Sequence, residues 1–120
     1  MSALDDFTDA YIECALWSST DDDGTPLDAI DAELSDDARD AISVECCLFV
    51  EANAELLAQY VTRGRTMGDA GYDFWLTRNH HGAGFWDRGL GVLGDELTAI
   101  SHPYGSCDLY VGDDGLIYAQ

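Results

Sequence analysis

Between Ser18 and Asp40 the chain sets nine carboxylates against one arginine, Arg39, and any fold it adopts must leave nearly all of them in water. The imbalance runs through the whole chain. Twenty-four acidic residues face five arginines and no lysine, a net charge of −19 over 120 residues. A small domain stays soluble with a net charge of about 2–8. The excess repels itself and opposes compaction, so folding needs a substantial apolar core and the charge needs a reason to persist. Hydrophobic residues supply 47% of the sequence, thirteen of them aromatic, which is too apolar for an acidic disordered tail. That is enough for one compact domain over residues 1–120, but not for two. Nucleic acid and anionic membrane surfaces, which demand cationic contacts, are disfavoured as direct partners.

No apolar run reaches membrane-spanning length, and no basic segment followed by an apolar one opens the chain. The expectation is an intracellular protein. Cys14, Cys46 and Cys47 lie within helix-like apolar patterns, and the adjacent pair Cys46 and Cys47 makes no redox or zinc motif. With Cys107, they read as structural thiols.

Leu4, Phe7, Tyr11 and Cys14 recur at helical spacing and predict a first helix over about 4–17, with Asp5, Asp9 and Glu13 on its other side. Residues 18–34, broken by Gly24 and Pro26, read as a loop with a short helical turn near Leu27–Glu33. Ser35 reads as the N-cap of a long helix running to about Val61 and ended by Gly64, with Ile42, Cys46, Phe49, Leu56 and Tyr60 as its buried seam. From Gly71 the period becomes two. "GYDFWLTR" and "AGFWDR" around "NHHG" predict a β-hairpin with loop Asn79–Gly82, pairing Arg78 with Ala83, Trp75 with Trp86 and Asp73 with Arg88. A short helix over "DELTAISH", closed by Pro103, precedes a second hairpin at "CDLYV" and "LIYA". The fold class expected is α+β: two N-terminal helices on a small antiparallel sheet of two hairpins, with a short third helix between them.

Several motifs fail on their context. "GLGVLG" matches the dinucleotide fingerprint through Gly89, Gly91 and Gly94, but only 26 residues follow and no βαβ unit surrounds it; these read as turn glycines. "DDDG" and "GDDG" do not place an acid at the twelfth position and a first ligand at the first position of a calcium loop. His80 and His81 fall in the expected hairpin loop, with His102 beyond the third helix. A zinc site would need them to converge with Cys107 or a carboxylate, and no ligand spacing ties them together. No nucleophile–base constellation stands out. Trp75, Trp86, Arg78 and Arg88 could stack bases only against the repulsion of the whole chain, so they read as packing and ion-pairing groups. The expectation is therefore no enzyme, no cofactor and no metal.

The charge is uneven. Residues 1–60 hold sixteen acids and one base, and residues 61–120 hold eight acids and four bases. The pattern predicts an acidic face made of Asp5, Asp9, Glu13, Asp28, Asp31, Glu33, Asp36, Asp37 and Asp40. Helical carboxylates four residues apart rise about 6 Å. A DNA strand offers a phosphate per roughly 3.4 Å of axial rise. Such a surface can imitate the charge density of a duplex, and short aspartates, eighteen against six glutamates, hold it with little rotamer loss. A lysine-free surface adapted to high salt is the bland alternative, and it predicts acid on every face.

"CALWSS", "DFWLTRNHHGAGFWDRG" and "DLYVGDDGLIYAQ" resemble segments of a family of small acidic proteins encoded by bacteriophages and mobile elements. The resemblance touches most of the chain and implies a phage protein acting in the host cytoplasm; some small acidic phage proteins are anti-CRISPR or anti-restriction DNA mimics. It implies as partner a basic DNA-binding surface of a CRISPR-Cas complex, type I above all, or of a restriction complex; a monomer is the expected form. A small phage enzyme or metal-binding protein using His80, His81 and nearby acids is the competing expectation.

Overall fold

Three helix starts are marked by capping side chains, and the computed structural model, which describes residues 2–120, follows them. α1 (Ala3–Ser18) starts at Ser2, whose hydroxyl accepts the Asp5 backbone N–H at 3.0 Å while the Asp5 carboxylate accepts the Ser2 N–H. α2 (Asp36–Ala52) starts at Ser35, the expected cap, which accepts the Ala38 N–H at 3.1 Å. A capping box of Thr66 and Asp69 starts α4 (Met67–Arg78). Each cap satisfies a helix-end donor, and the acids in these first turns sit where the helix dipole favours negative charge.

The single long helix expected after Ser35 is instead two. Asn53, at φ −126°, donates its side-chain N–H to the Phe49 carbonyl at 2.9 Å, ending α2 and opening α3 (Ala54–Thr62). The break turns the seam: Ile42, Cys46, Phe49 and Tyr60 are buried as expected, but Leu57 takes the buried place expected of Leu56, which is half-buried. Gly64, at φ +95°, ends α3 in a left-handed conformation open to glycine. α5 (Val92–Ser101) runs into a 3₁₀ turn, His102–Tyr104, that contains Pro103. The expected C-terminal hairpin is present as β1 (Leu109–Val111) and β2 (Ile117–Ala119), antiparallel with Tyr110 opposite Tyr118. Residues 33–35 lie along the other edge of β2, through Ser35 N–H to Ile117 O and Ile117 N–H to Glu33 O, both 2.8 Å.

The α+β expectation of two helices on a sheet of two hairpins is wrong. Among the described residues the chain forms five α-helices and one two-stranded sheet. The first expected hairpin does not exist: its leading strand is α4, and "AGFWDR" holds a 3₁₀ turn, Phe85–Asp87. The cause is burial. Ala70, Gly71 and every residue from Asp73 to Arg78 are buried, so α4 is covered nearly all round and keeps no polar stripe to reveal a 3.6-residue period. Its aromatic and β-favouring residues then imitate a strand. "NHHG" is a helix end rather than a hairpin turn: His80 sits at φ +57°, and the His81 N–H returns to the Leu76 carbonyl at 3.0 Å. Arg78 does not pair with Ala83 across a sheet, nor Trp75 with Trp86. Trp75 is buried and donates its indole N–H to Ser18 Oγ at 2.8 Å, whereas Trp86 is 49% exposed.

The core is aromatic and centred on α4. Phe74 stacks on Phe49 at 4.0 Å, and Phe7, Tyr11 and Phe85 close around the pair. α1 approaches α4 most closely at Gly71, where a Cβ would stand 2.0 Å from the Phe7 carbonyl oxygen. Backbone meets backbone there, so neither side can yield by a rotamer change. Replacing Gly71 with Ala is expected to cost at least about 3 kcal/mol, the upper end of ordinary overpacking. Trp86→Ala, at a half-exposed ring, is expected to cost under about 1.5 kcal/mol, well below full burial. Urea denaturation of both variants checks the pair, and the reverse order of costs would refute this packing.

Candidate protein-binding surface

Three of the five arginines are engaged by Asp73 and Glu45. Asp73, 1% exposed on α4, accepts the Tyr60 hydroxyl at 2.7 Å and the Arg88 guanidinium through Nε at 3.0 Å and a terminal nitrogen at 2.7 Å. Arg65 stands 4.0 Å from the same carboxylate and donates to the Tyr60 hydroxyl at 3.0 Å. Burial, then the bond to Asp73, pushes the Tyr60 hydroxyl well above its ordinary pKa and keeps it a donor. Arg78, one turn and a half along α4, is buried as well. It donates to the Gly105 carbonyl at 2.8 Å, the Tyr104 carbonyl at 2.9 Å and the Tyr11 hydroxyl at 3.1 Å, and it pairs with Glu45 of α2. The expected pairing of Asp73 with Arg88 therefore holds, although no sheet brings it about.

Three arginines against two carboxylates leave a net +1 in these clusters, so the rest of the chain carries one negative charge more than the −19 total. Asp5, Asp9, Glu13, Asp28, Asp31, Glu33, Asp36, Asp37 and Asp40 are all exposed. None lies within ion-pair distance of an arginine among the described residues. Asp5, Asp9 and Glu13 ride on α1. Asp28 belongs to a 3₁₀ turn, Leu27–Ala29, packed on α1, and Asp36, Asp37 and Asp40 occupy the start of α2, which also packs on α1. The three segments thus meet around one helix. Their carboxylates do not close into a hydrogen-bonded cluster, and no group of three or more metal-ligating side chains occurs among the described residues. Asp31 lines an open cleft of about 650 Å³ together with Asp21–Asp23 and Tyr110.

The histidines divide. His80 packs against His102 with ring centroids 4.7 Å apart and the rings tilted by 32°, while His81 lines another cleft with Trp75 and Asn79. Gly89 and Gly91, at φ +69° and +60°, form the turn before α5, and Gly94 lies inside that helix. Cys14, Cys46 and Cys107 are buried and Cys47 is half-buried. Of the exposed large apolar residues, two share one face of a long helix and lie outside the set expected from sequence. Val44 and Leu48 are 60% and 57% exposed on α2. Their spacing carries the signal: four residues apart, they fall on the side of the helix opposite Ile42, Cys46 and Phe49.

No protein-family model, curated protein or solved structure matches the chain. No helix among the described residues is long and apolar enough to cross a membrane.

Asp73→Asn would leave Arg88 and Arg65 facing a neutral amide beside the core. A loss of about 2–4 kcal/mol is expected, the buried-pair range reduced because both arginines reach solvent. Guanidinium denaturation measures it, and an unchanged midpoint would show the network to be dispensable. The thiols give a second test. Burial pushes Cys14 and Cys46 up to about 12, so both favour the folded state as neutral thiols. Their contribution is complete below the free-thiol value, near 9, and is lost as pH climbs from there toward 12. Alkylation at pH 8 followed by peptide mass mapping is expected to label Cys47 first and to spare Cys14 and Cys46 until the protein unfolds. Stability should fall between about pH 9 and 12, measured by thermal melts in parallel.

Proposed function

We propose that this protein is a non-enzymatic inhibitor of a host defence complex, whose exposed carboxylates occupy a basic DNA-binding channel and exclude target DNA. The observation that carries the reading is the unmatched surface charge: nine exposed carboxylates, seven of them on three adjoining segments, with three of the five arginines engaged by Asp73 and Glu45. Self-repulsion on that scale costs stability in the free protein. A partner lined with lysine and arginine relieves it on binding, and electrostatic steering speeds the encounter. The likeness of "CALWSS", "DFWLTRNHHGAGFWDRG" and "DLYVGDDGLIYAQ" to small acidic phage proteins supports a phage origin, action in the host cytoplasm, and a type I CRISPR surveillance complex or a restriction complex as target.

An enzyme or metal protein built on His80 and His81 has less support, because His80 turns to His102 while His81 lines a separate cleft. A purely salt-adapted surface has less support too, since fourteen exposed acids lie in the first half of the chain and six in the second.

Replacing Asp5, Asp9, Asp36 and Asp37 together by Lys is expected to abolish inhibition of DNA binding by the surveillance complex. Each single replacement should weaken it only slightly, since exposed pairs contribute about 0–1 kcal/mol. The quadruple variant should remain folded by circular dichroism, with reduced repulsion set against the lost Asp5 cap and the reversed dipole contacts at the start of α2. Changing His80 and His81 to Ala should leave inhibition unchanged. A DNA mobility-shift assay checks all of these. Full inhibition by the quadruple variant, with loss on the histidine changes, would overturn the proposal.

A further inference from the structure

The acidic surface of α2 has an apolar centre. Taking 100° per residue, Asp37, Asp40, Val44, Leu48 and Glu51 fall within one narrow stripe, and all five are exposed. The stripe faces away from the seam of Ile42, Cys46 and Phe49 that packs into the core. Beside it runs an open groove: Val44 and Leu48 share a cleft of about 450 Å³ with Ala41 and Tyr104, and a second cleft of about 330 Å³ continues past Ala41 and Tyr104 to Gln120. The Arg78–Glu45 pair marks the junction, and the Arg78 bonds to the Tyr104 and Gly105 carbonyls fix the groove's far wall to α4. The groove therefore has α2 as one wall and, as the other, a segment tied to α4.

An isolated exposed leucine needs no explanation, but an apolar pair in a groove, bounded along the helix by carboxylates at both ends, has the form of a binding hot spot inside a charged rim. We propose that this groove docks a basic amphipathic helix of a partner protein, its apolar residues seated on Val44 and Leu48 and its lysines or arginines against Asp37, Asp40 and Glu51. Charge complementarity selects this occupant. A second copy of the chain is disfavoured: two antiparallel α2 stripes paired through Val44 and Leu48 would bring Asp40 of one beside Glu51 of the other, on top of the repulsion between two chains of −19. Duplex DNA offers no apolar ridge to such a groove and shares its charge. The inference rests on the proposed inhibitor reading only in taking the partner to be basic, and it adds that shape as well as charge selects that partner.

Two synthetic peptides of about five helical turns and identical Leu/Lys composition test it, one with leucines at three- and four-residue spacing and one scrambled to break the stripe. The amphipathic peptide is expected to bind at least tenfold more tightly by fluorescence anisotropy, with amide shifts clustered on α2 by NMR. The exposed double change V44S/L48S should erase that preference while leaving circular dichroism unchanged, and L48S alone should reduce it. The acid reversals D37K/D40K/E51K should weaken both peptides alike. The proposal is overturned if V44S/L48S and L48S keep the preference, if neither peptide binds at low salt, or if the parent sediments as a dimer that V44S/L48S converts to monomer. Acid reversals that act while V44S/L48S does nothing would leave the inhibitor reading standing without this groove. A groove that takes the peptide, in a protein that fails to compete with DNA, would keep the groove and remove the DNA-mimic reading.

Discussion

Burying α4 on nearly every side requires that its two innermost charges be neutralised where they lie, and the rest of the structure depends on how this is done. Asp73 and Arg78 sit on a helix whose other buried residues are mostly aromatic, aliphatic or small, and removing either from water uncompensated would cost several kcal/mol. Asp73 is met by Arg88, Arg65 and the Tyr60 hydroxyl, and Arg78 by Glu45, Tyr11 and the Tyr104 and Gly105 carbonyls. These partners come from α1, α2, α3, the loop that leads into α4 and the loops on either side of α5. The two networks therefore tie the chain's outer elements to α4 with directional bonds, on top of the non-directional packing around Phe49 and Phe74.

The same requirement shapes the outside. A chain with five arginines that commits three to Asp73 and Glu45 has two left, Arg39 and Arg63, to offset its other acids. Capping absorbs a few carboxylates usefully, as with Asp5 and Asp69 at their helix starts, but it does not neutralise them. The surface keeps its charge, and under the proposed function that charge serves binding: broad acid for steering and capture, with an apolar groove beside Val44 and Leu48 to select the partner by shape.

How far the fold is legible in the sequence follows from which residues meet water on one side only. α1 and the start of α2 are legible because each buries one face and exposes the other, so period and caps both speak, and the C-terminal hairpin is legible from the turn residues between its strands. α4 imitates a strand because it has almost no exposed face, and the turn signals in "NHHG" belong to a helix end as readily as to a hairpin. The capping box at Thr66 and Asp69 is the local sign of a helix start, and it outweighs alternation in an element so fully buried. The Asn53 break is equally hidden, since the apolar pattern continues across it with a shifted face. Of the candidate surface, the acidic residues can be named from charge alone because Asp and Glu are almost never buried without a partner. Asp73 and Glu45, which do have partners, need the fold to be told apart from the rest, as does the groove.

If the acidic surface and target DNA compete for one site, the kinetics of association with a purified type I surveillance complex test that competition most directly. Biosensor traces would be recorded over a range of ionic strength, with and without the complex pre-loaded with its DNA. A DNA mimic should show an association rate that falls steeply with salt, a dissociation rate that changes far less, and no association once DNA occupies the channel. A ternary complex containing both DNA and this protein, formed at a rate indifferent to salt, would contradict it.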